Sequence, residues 1–261
     1  MRLPARRISP GRAEGKALVS PVPFSFVGGA DPSKGTVLDE STGCRGEPLA
    51  GRVFAFPQGK GSTVGSYAIY GLAKRGIGPA ALLNERAEVI VAAGAILGGV
   101  PMVDRVDLGA FMTGDRVIVD ADRGRVDLPE VTPRPVVSAF LRNRGRFLVL
   151  RRSDRVGSFR GRWSAVSGYL EGREDPRDRA AQEIREETQA KGARFRKDAD
   201  PLYTRDGATA FIVHPFLFDV PSRRVTLDWE NLEHRWIAPS ELASLDAVPR
   251  LGIVLDRLLH G

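Results

Sequence analysis

Three prolines crowd the seven residues PEVTPRP at positions 129–135, near the middle of a 261-residue chain. Proline this dense suits a linker or stiff connector, and the pattern on either side of it changes. Before it, Gly109 to Leu128 (GAFMTGDRVIVDADRGRVDL) reads as a hairpin: alternation through Val117 and Val119, a turn at Asp122–Gly124, then Val126 and Leu128. After it, a new strand pattern, VVSAFL, begins at Val136, and FLVLRR follows the turn RNRGR. The chain therefore divides into residues 1–130 and 131–261, each long enough for a small domain. Neither half shows an internal repeat or a low-complexity tract.

Composition narrows the classes. A hydrophobic content of 42% is enough for a core in each half. No stretch approaches the roughly 20 apolar residues that span a bilayer. The basic start, MRLPARRISPGRAEG, lacks the apolar segment of a secretory signal, so a cytoplasmic protein without membrane contact is expected. Cys44 is the single cysteine, and His214, His234 and His260 are the only histidines. Cys44 alone cannot form an internal disulfide or hold a thiolate metal site. The net charge is +7 with a pI near 10, carried mostly by arginine, with lysine only at 16, 34, 60, 74, 191 and 197. These charges are spread among acids, apart from the run Arg151, Arg152, Arg155, Arg160 and Arg162. With sparse aromatics and no nucleic-acid-binding motif, small phosphorylated substrates and a solvated basic surface are expected rather than nucleic acid.

Residues 56–72, FPQGKGSTVGSYAIYGL, form a glycine-broken loop feeding a helix predicted from about Ser66 to Lys74. A P-loop needs GxxxxGK followed directly by Ser or Thr. Here Gly61 follows Lys60 and Phe54 stands where the first glycine belongs, so a nucleotide cradle is excluded. What remains is an anion site at the start of a helix, a catalytic serine, or a tight turn with a serine cap. Upstream, PVPFSFVGGADPSKG (residues 21–35) reads as a loop with close backbone approach at Gly28 and Gly29.

These two segments and the later AEVIVAAGAILGGVPMVD, in order and spacing across about residues 10–128, resemble the small-subunit, or swivel-domain, family of aconitase X. The resemblance implies an aconitase-like swivelling β/β/α domain. It also implies a dehydratase that takes water from mevalonate 5-phosphate to give trans-anhydromevalonate 5-phosphate, or from a hydroxyproline as in bacterial relatives. In that family a large subunit carries the iron–sulfur cluster and the small subunit supplies the loop serine, whose place Ser62 occupies. Ser62 would take the proton next to the carboxylate, and the cluster iron would draw off the hydroxyl. The charge of Lys60 and the backbone N–H groups from Gly61 to Gly65 would ease alkoxide formation in a closed site. The expected partner is a separate large subunit closing over the loops of Gly28, Gly29, Lys60, Gly61 and Ser62.

The second half carries its own pattern. From Gly168 the chain reads GYLEGREDPRDRAAQEIREETQA: Gly168, five residues, Glu174, seven residues, then Gln182-Glu183-Ile184-Arg185-Glu186-Glu187. Asp175-Pro176 is a helix start, N-cap then first turn. On that helix Glu183, Glu186 and Glu187 fall at i, i+3 and i+4 and share one face. Three like charges there repel, and a hard divalent cation such as Mg²⁺ would relieve the repulsion. The alternative is a solvated acidic face salt-bridged by Arg177, Arg179 and Arg185.

The spacing resembles the Nudix box in register. The resemblance implies an α/β/α sandwich that hydrolyses an organic diphosphate, with Glu183, Glu186 and Glu187 holding Mg²⁺ and Glu186 and Glu187 needed for catalysis. Two positions depart from the box: Gln182 stands for an arginine, and Gln189 for the glycine that ends the helix. Gln182 can hydrogen-bond a carboxylate without supplying charge. Arg151, Arg152, Arg155 and Arg160 precede the glutamates and could hold a diphosphate. Trp163, Trp229 and Trp236 are expected in the core or wall. The expected whole is a mixed α/β fusion, dehydratase small subunit plus Mg²⁺-dependent hydrolase. Its alternatives are a regulatory metabolite-binding second half or a purely structural first half.

Overall fold

The proline-rich stretch holds the boundary between the two units, and its second half is strand and not a free connector. In a computed structural model of the chain, which describes residues 1–260, Thr132–Asn143 form one continuous strand, and the two compact units abut in sequence between Val131 and Thr132. Thr132 N–H donates to Ala208 O at 2.9 Å. Amides alternate sides along a strand, so Pro133 and Pro135 fall where an N–H would face away from that partner. That edge carries no strand partner before Val136, so the missing donors cost nothing.

The first unit holds β1 (Arg2–Pro4), β2 (Arg6–Ser9), β3 (Arg12–Val19), β4 (Arg52–Phe56), β5 (Ala81–Asn84), β6 (Met102–Asp104), β7 (Arg116–Asp120) and β8 (Arg125–Asp127). They form one sheet in the order β1-β8-β7-β3-β4-β5-β6-β2. The expected hairpin is β7–β8, with Val119 opposite Val126. The run β3-β4-β5-β6 is parallel. Parallel neighbours need crossovers, and helices supply two of them. After a short kinked turn, α1 (Phe26–Gly29), helix α2 (Val64–Lys74) joins β4 to β5 and α3 (Val89–Gly98) joins β5 to β6. Helix α2 starts two residues before the expected Ser66. Its close packing on α3 depends on Gly94, where a Cβ would lie 2.9 Å from both Ile69 Cβ and Ser66 O. Beneath lies an aromatic core in which Phe24 meets Phe26 and Phe54 edge-on at 5.0 and 4.9 Å.

The second unit holds β9 (Thr132–Asn143), β10 (Arg146–Arg152), β11 (Trp163–Ser164), β12 (Val166–Tyr169), β13 (Arg194–Asp198), β14 (Leu202–Asp206), β15 (Thr209–Asp219) and β16 (Asn231–Ile237). The order is β11-β10-β9-β15-β13, with β12 on β9, β14 on β15 and β16 on β10. Strand alternation sends Val137, Ala139 and Leu141 to one face, where α4 (Pro176–Thr188) packs through Ala180 and Ile184. Phe140, Phe147 and Val149 face the other way, against Leu251, Val254 and Leu258 of α5 (Leu251–His260). Both units are thus mixed α/β. No helix among the described residues is long and apolar enough to cross a membrane.

Trp163 is buried and Trp236 half-buried, as expected of core or wall residues. Trp229 is 53% exposed and lies under the Arg155 guanidinium at 5.0 Å, so it stacks on the surface instead.

Candidate active sites

In the first unit the serine loop leaves the carboxyl end of β4, the edge where parallel sheets present loops to ligands. Residue 59 bridges Phe24, with Phe24 N–H on Gln58 O (3.1 Å) and Lys60 N–H on Phe24 O (3.0 Å), so the two glycine-containing stretches are tied together. Gly61 has a φ of +108°, and a Cβ there would lie 2.8 Å from Ser25 Oγ, so glycine is required. Ser62 is exposed; its Oγ accepts from Val64 N–H at 3.3 Å, and its carbonyl accepts from Gly65 N–H at 2.8 Å. Backbone donors at the start of α2 are therefore turned onto Ser62. Ser66 is buried and donates to Thr63 O at 2.8 Å, which makes it part of the helix start.

Gly28 is exposed with a φ of +77° and open space where a Cβ would point. Gly29 is buried, and its close approach is to the Phe24 ring, 3.0 Å from a would-be Cβ. Its carbonyl accepts from Leu38 N–H at 2.7 Å, which brings a third loop to the place. On that loop Asp39 is anchored by Ser41 N–H and Oγ (3.0 and 2.6 Å), and its other oxygen is 3.7 Å from Lys60 Nζ. The Ser41 donors, with Lys60 adding attraction, hold the Asp39 carboxyl below its usual range. Nothing in the sequence pattern marked Asp39 as the counter-ion of Lys60. Cys44 is buried with Sγ 3.4 Å from the carbonyls of Val19 and Thr42, and burial pushes its thiol up. A lone, inward-turned thiol does not fit an iron–sulfur cluster.

In the second unit, helix α4 starts where expected: Asp175 caps it through Arg177 N–H and Asp178 N–H (2.9 and 3.1 Å), and Pro176 opens it. It ends at Gln189, which takes the left-handed φ of +50° that a glycine adopts freely. Gly168 on β12 explains the box spacing physically. A Cβ there would sit 1.6 Å from Glu183 Oε1, so the carboxylate occupies the space that the glycine leaves.

The three glutamates have different surroundings. Glu183 is buried and ion-paired with Arg179. Burial pushes it up to about 7 against the pull of Arg179, with Glu186 adding repulsion. Glu187 is 4% exposed and accepts from Ser167 N–H at 2.9 Å and Asn231 Nδ2 at 2.7 Å. Burial pushes it up to about 8 despite those donors, and Glu183 and Glu230 repel it. Glu186 is exposed and accepts from Gln182 Nε2 at 2.7 Å, so Gln182 does hold a box carboxylate. Glu230 is raised by burial and by Asp228.

Sequence reasoning missed Glu230 and Asn231. They lie at the start of β16, and only the fold carries them to α4. Among the described residues, no three His, Cys, Asp or Glu side chains converge into a ready cation cage. Each box carboxylate is instead held by a protein donor. The donor set is nevertheless all oxygen, charged and mutually repelling, which fits a hard divalent cation.

Glu183, Glu186 and Glu230 line a cavity of about 230 Å³ together with Arg152 and Arg179. Of the four arginines considered for diphosphate binding, Arg152 alone reaches it, donating to Ser167 Oγ (3.0 Å) and Ser158 O (3.0 Å). Arg151 is not brought to the site: one residue along the strand, it faces Gly161 O (3.3 Å) and Glu233 (3.8 Å). Arg155 covers Trp229, and Arg160 turns back onto Val156 O at 2.9 Å.

The family profile described as aconitase X swivel domain matches residues 2–128, and that described as NUDIX domain matches residues 132–258. A phosphomevalonate dehydratase small subunit of Thermococcus onnurineus is 52% identical over 130 residues, which span all of that protein and 50% of this chain. The crystal structure of aconitase X from Thermococcus kodakaraensis (holo-form) is 49% identical over 49% of this chain and 98% of its own, with a TM-score of 0.48. The MutT protein of Methanosarcina mazei is 24% identical over 49% of this chain and 94% of its own, with a TM-score of 0.44.

Proposed function

Because the chain belongs to the aconitase X swivel-domain family in its first half and carries a Nudix domain in its second, we propose a protein of two functions. The first half is the small subunit of a phosphomevalonate dehydratase. The observation that carries this is 52% identity along the entire length of a protein so named. Ser62 is the base, and Val64 N–H is the backbone donor that eases loss of its proton. Lys60, Gly61, Gly28 and Gly29 line the approach of the substrate. Cys44 does not fit a cluster. The large subunit would supply an iron–sulfur cluster, whose Lewis acidity would help the hydroxyl to leave.

The second half is a hydrolase of an organic diphosphate. Glu183, Glu186, Glu187 and Glu230 would hold Mg²⁺, which when bound supplies charge neutralisation at the phosphate oxygens. Arg152 orients the diphosphate; Gln182 and Asn231 fix Glu186 and Glu187. A second half that binds a metabolite without hydrolysing it is the rival reading, favoured by the engagement of each box glutamate with a protein partner.

Co-purification of the full chain with the large subunit, followed by an anaerobic dehydration assay, tests the first function. Dehydration by this chain alone would overturn it. For the second, Mg²⁺ titration by calorimetry and a panel of nucleotide, sugar and isoprenoid diphosphates decide. Mg²⁺ binding without any hydrolysis selects the rival.

A further inference from the structure

Helix α4 carries two side-chain pairs of the same spacing. Arg179 is ion-paired with Glu183, and Gln182 Nε2 donates to Glu186 Oε1 at 2.7 Å. Both pairs are i, i+4, and the four residues share one stripe of the helix. The pairs differ in burial and in charge. Glu186 is exposed and receives a neutral donor from Gln182, which stands where the box has arginine. Glu183 is buried and receives a cation from one turn earlier. The charge missing at position 182 is therefore present at Arg179, on the carboxylate that needs it more. A buried carboxylate has lost the water that steadies an exposed one.

Helix stability does not account for Arg179. A cation near the amino end of a helix faces the positive end of its dipole, and a cation placed before its carboxylate is the weaker order for an i, i+4 pair. The Nε–H of Arg179 is buried with no acceptor among the described residues, where buried donors ordinarily find one. The guanidinium is thus placed by Glu183 and not by its own hydrogen-bonding needs. The other arginines of α4 do not share this arrangement. Arg177 lies over the Phe195 ring at 5.3 Å, and neither it nor Arg185 pairs with a box glutamate among the described residues. Arg179 and Glu183 both line the cavity, with Arg152 and Glu230. Glu183 is fixed from two sides, by the space that Gly168 leaves and by Arg179.

We propose that Arg179 is a positioning residue of the cation site, holding Glu183 at the cavity and supplying the positive charge that Gln182 lacks. It acts through Glu183 and not on the cation or the substrate. Arg179 attracts both Glu183 and Glu230, and so offsets the repulsion among Glu183, Glu186 and Glu230. This rests on reading the glutamate face of α4 as a Mg²⁺ site.

The test is a double-mutant cycle in the full chain, read by Mg²⁺ calorimetry and not by turnover. Arg179→Met keeps the apolar stem and removes the charge, and Mg²⁺ affinity should fall about tenfold. Arg179→Lys keeps the charge and should lose no more than about threefold. In a Glu183→Gln background, Arg179→Met should change affinity by less than about twofold, because the carboxylate it acts through has gone. Gln182→Arg added to Arg179→Met should recover at least about threefold, since it returns a cation to the same stripe. A folding defect would weaken binding equally in both backgrounds and would not be repaired from position 182. Equal losses in both backgrounds, no recovery by Gln182→Arg, or tighter Mg²⁺ binding by Arg179→Met each overturns the inference and leaves the cation site standing. A wild-type chain that binds no Mg²⁺ sinks the cation site itself, and the inference with it.

Discussion

Ser62 and Glu187 represent two ways of preparing an oxygen for chemistry. Ser62 is exposed, with one backbone donor at 3.3 Å. Glu187 is buried and held by two donors at 2.9 and 2.7 Å, in a field of other carboxylates that its own unit supplies. A serine in water is a poor base, because solvation and a high pKa both oppose the alkoxide. On the proposed reading, the first unit presents its serine without the dry surroundings that would activate it, and a partner closing over the loop would supply them. The second unit builds its low-dielectric surroundings from its own sheet and helix. One site, on that reading, is completed by a partner and the other by a cation.

The largest effect should come from the exposed site. On the proposed reading, Ser62→Ala reconstituted with the large subunit loses about a thousandfold in dehydration rate, while substrate binding changes by no more than a few-fold. An alanine variant within tenfold of wild type in the anaerobic assay would remove Ser62 as base and leave the exposed loop without a reactive group. Next, Glu187→Gln in the full chain should cut diphosphate hydrolysis by about a hundredfold. Its metal-free melting temperature should hold or rise, because an amide replaces a carboxyl that burial already pushes toward neutrality. A large fall in stability would instead make Glu187 a structural residue.

A smaller effect is expected from Gly168→Ala. The new methyl meets Glu183 from Oε1 back to Cγ, so the buried, ion-paired side chain must move as a whole; Mg²⁺ affinity should drop about tenfold and melting should fall with it. Unchanged Mg²⁺ binding would show that Glu183 is not a ligand.

The smallest effect is a slope with pH. Glu183 and Glu187 have folded values of about 7 and 8, above the unfolded value of 4.5, so the native state binds more protons between these limits. Their stabilising contribution is present in acid and lost as pH rises from about 5 to 8. Metal-free melting of the second unit should therefore fall across that window. Added Mg²⁺ should restore more at pH 8 than at pH 5. A flat profile, or a Mg²⁺ effect larger in acid, would mean that the buried carboxylates are not a cation site.

Much of the second unit's helix was legible locally. Asp175-Pro176 fixes the start of α4, and the i, i+3, i+4 spacing fixes which glutamates share a face, because capping and helical period are short-range properties. The β7–β8 hairpin and the glycines of the serine loop were readable for the same reason. Other features depended on partners distant in sequence. Proline density at 129–135 looked like a connector, yet an unpaired sheet edge accommodates Pro133 and Pro135 as strand residues. Arg151 and Arg152 are alike as sequence, and the strand pleat sends only Arg152 to the cavity. Glu230 and Asn231 join the site across β16, and Asp39 reaches Lys60 through a third loop. The sequence by itself determined where α4 begins and which of its residues can share a face. Only the tertiary structure decided which charges meet, because burial and neighbouring carboxylates, not residue type, set their protonation.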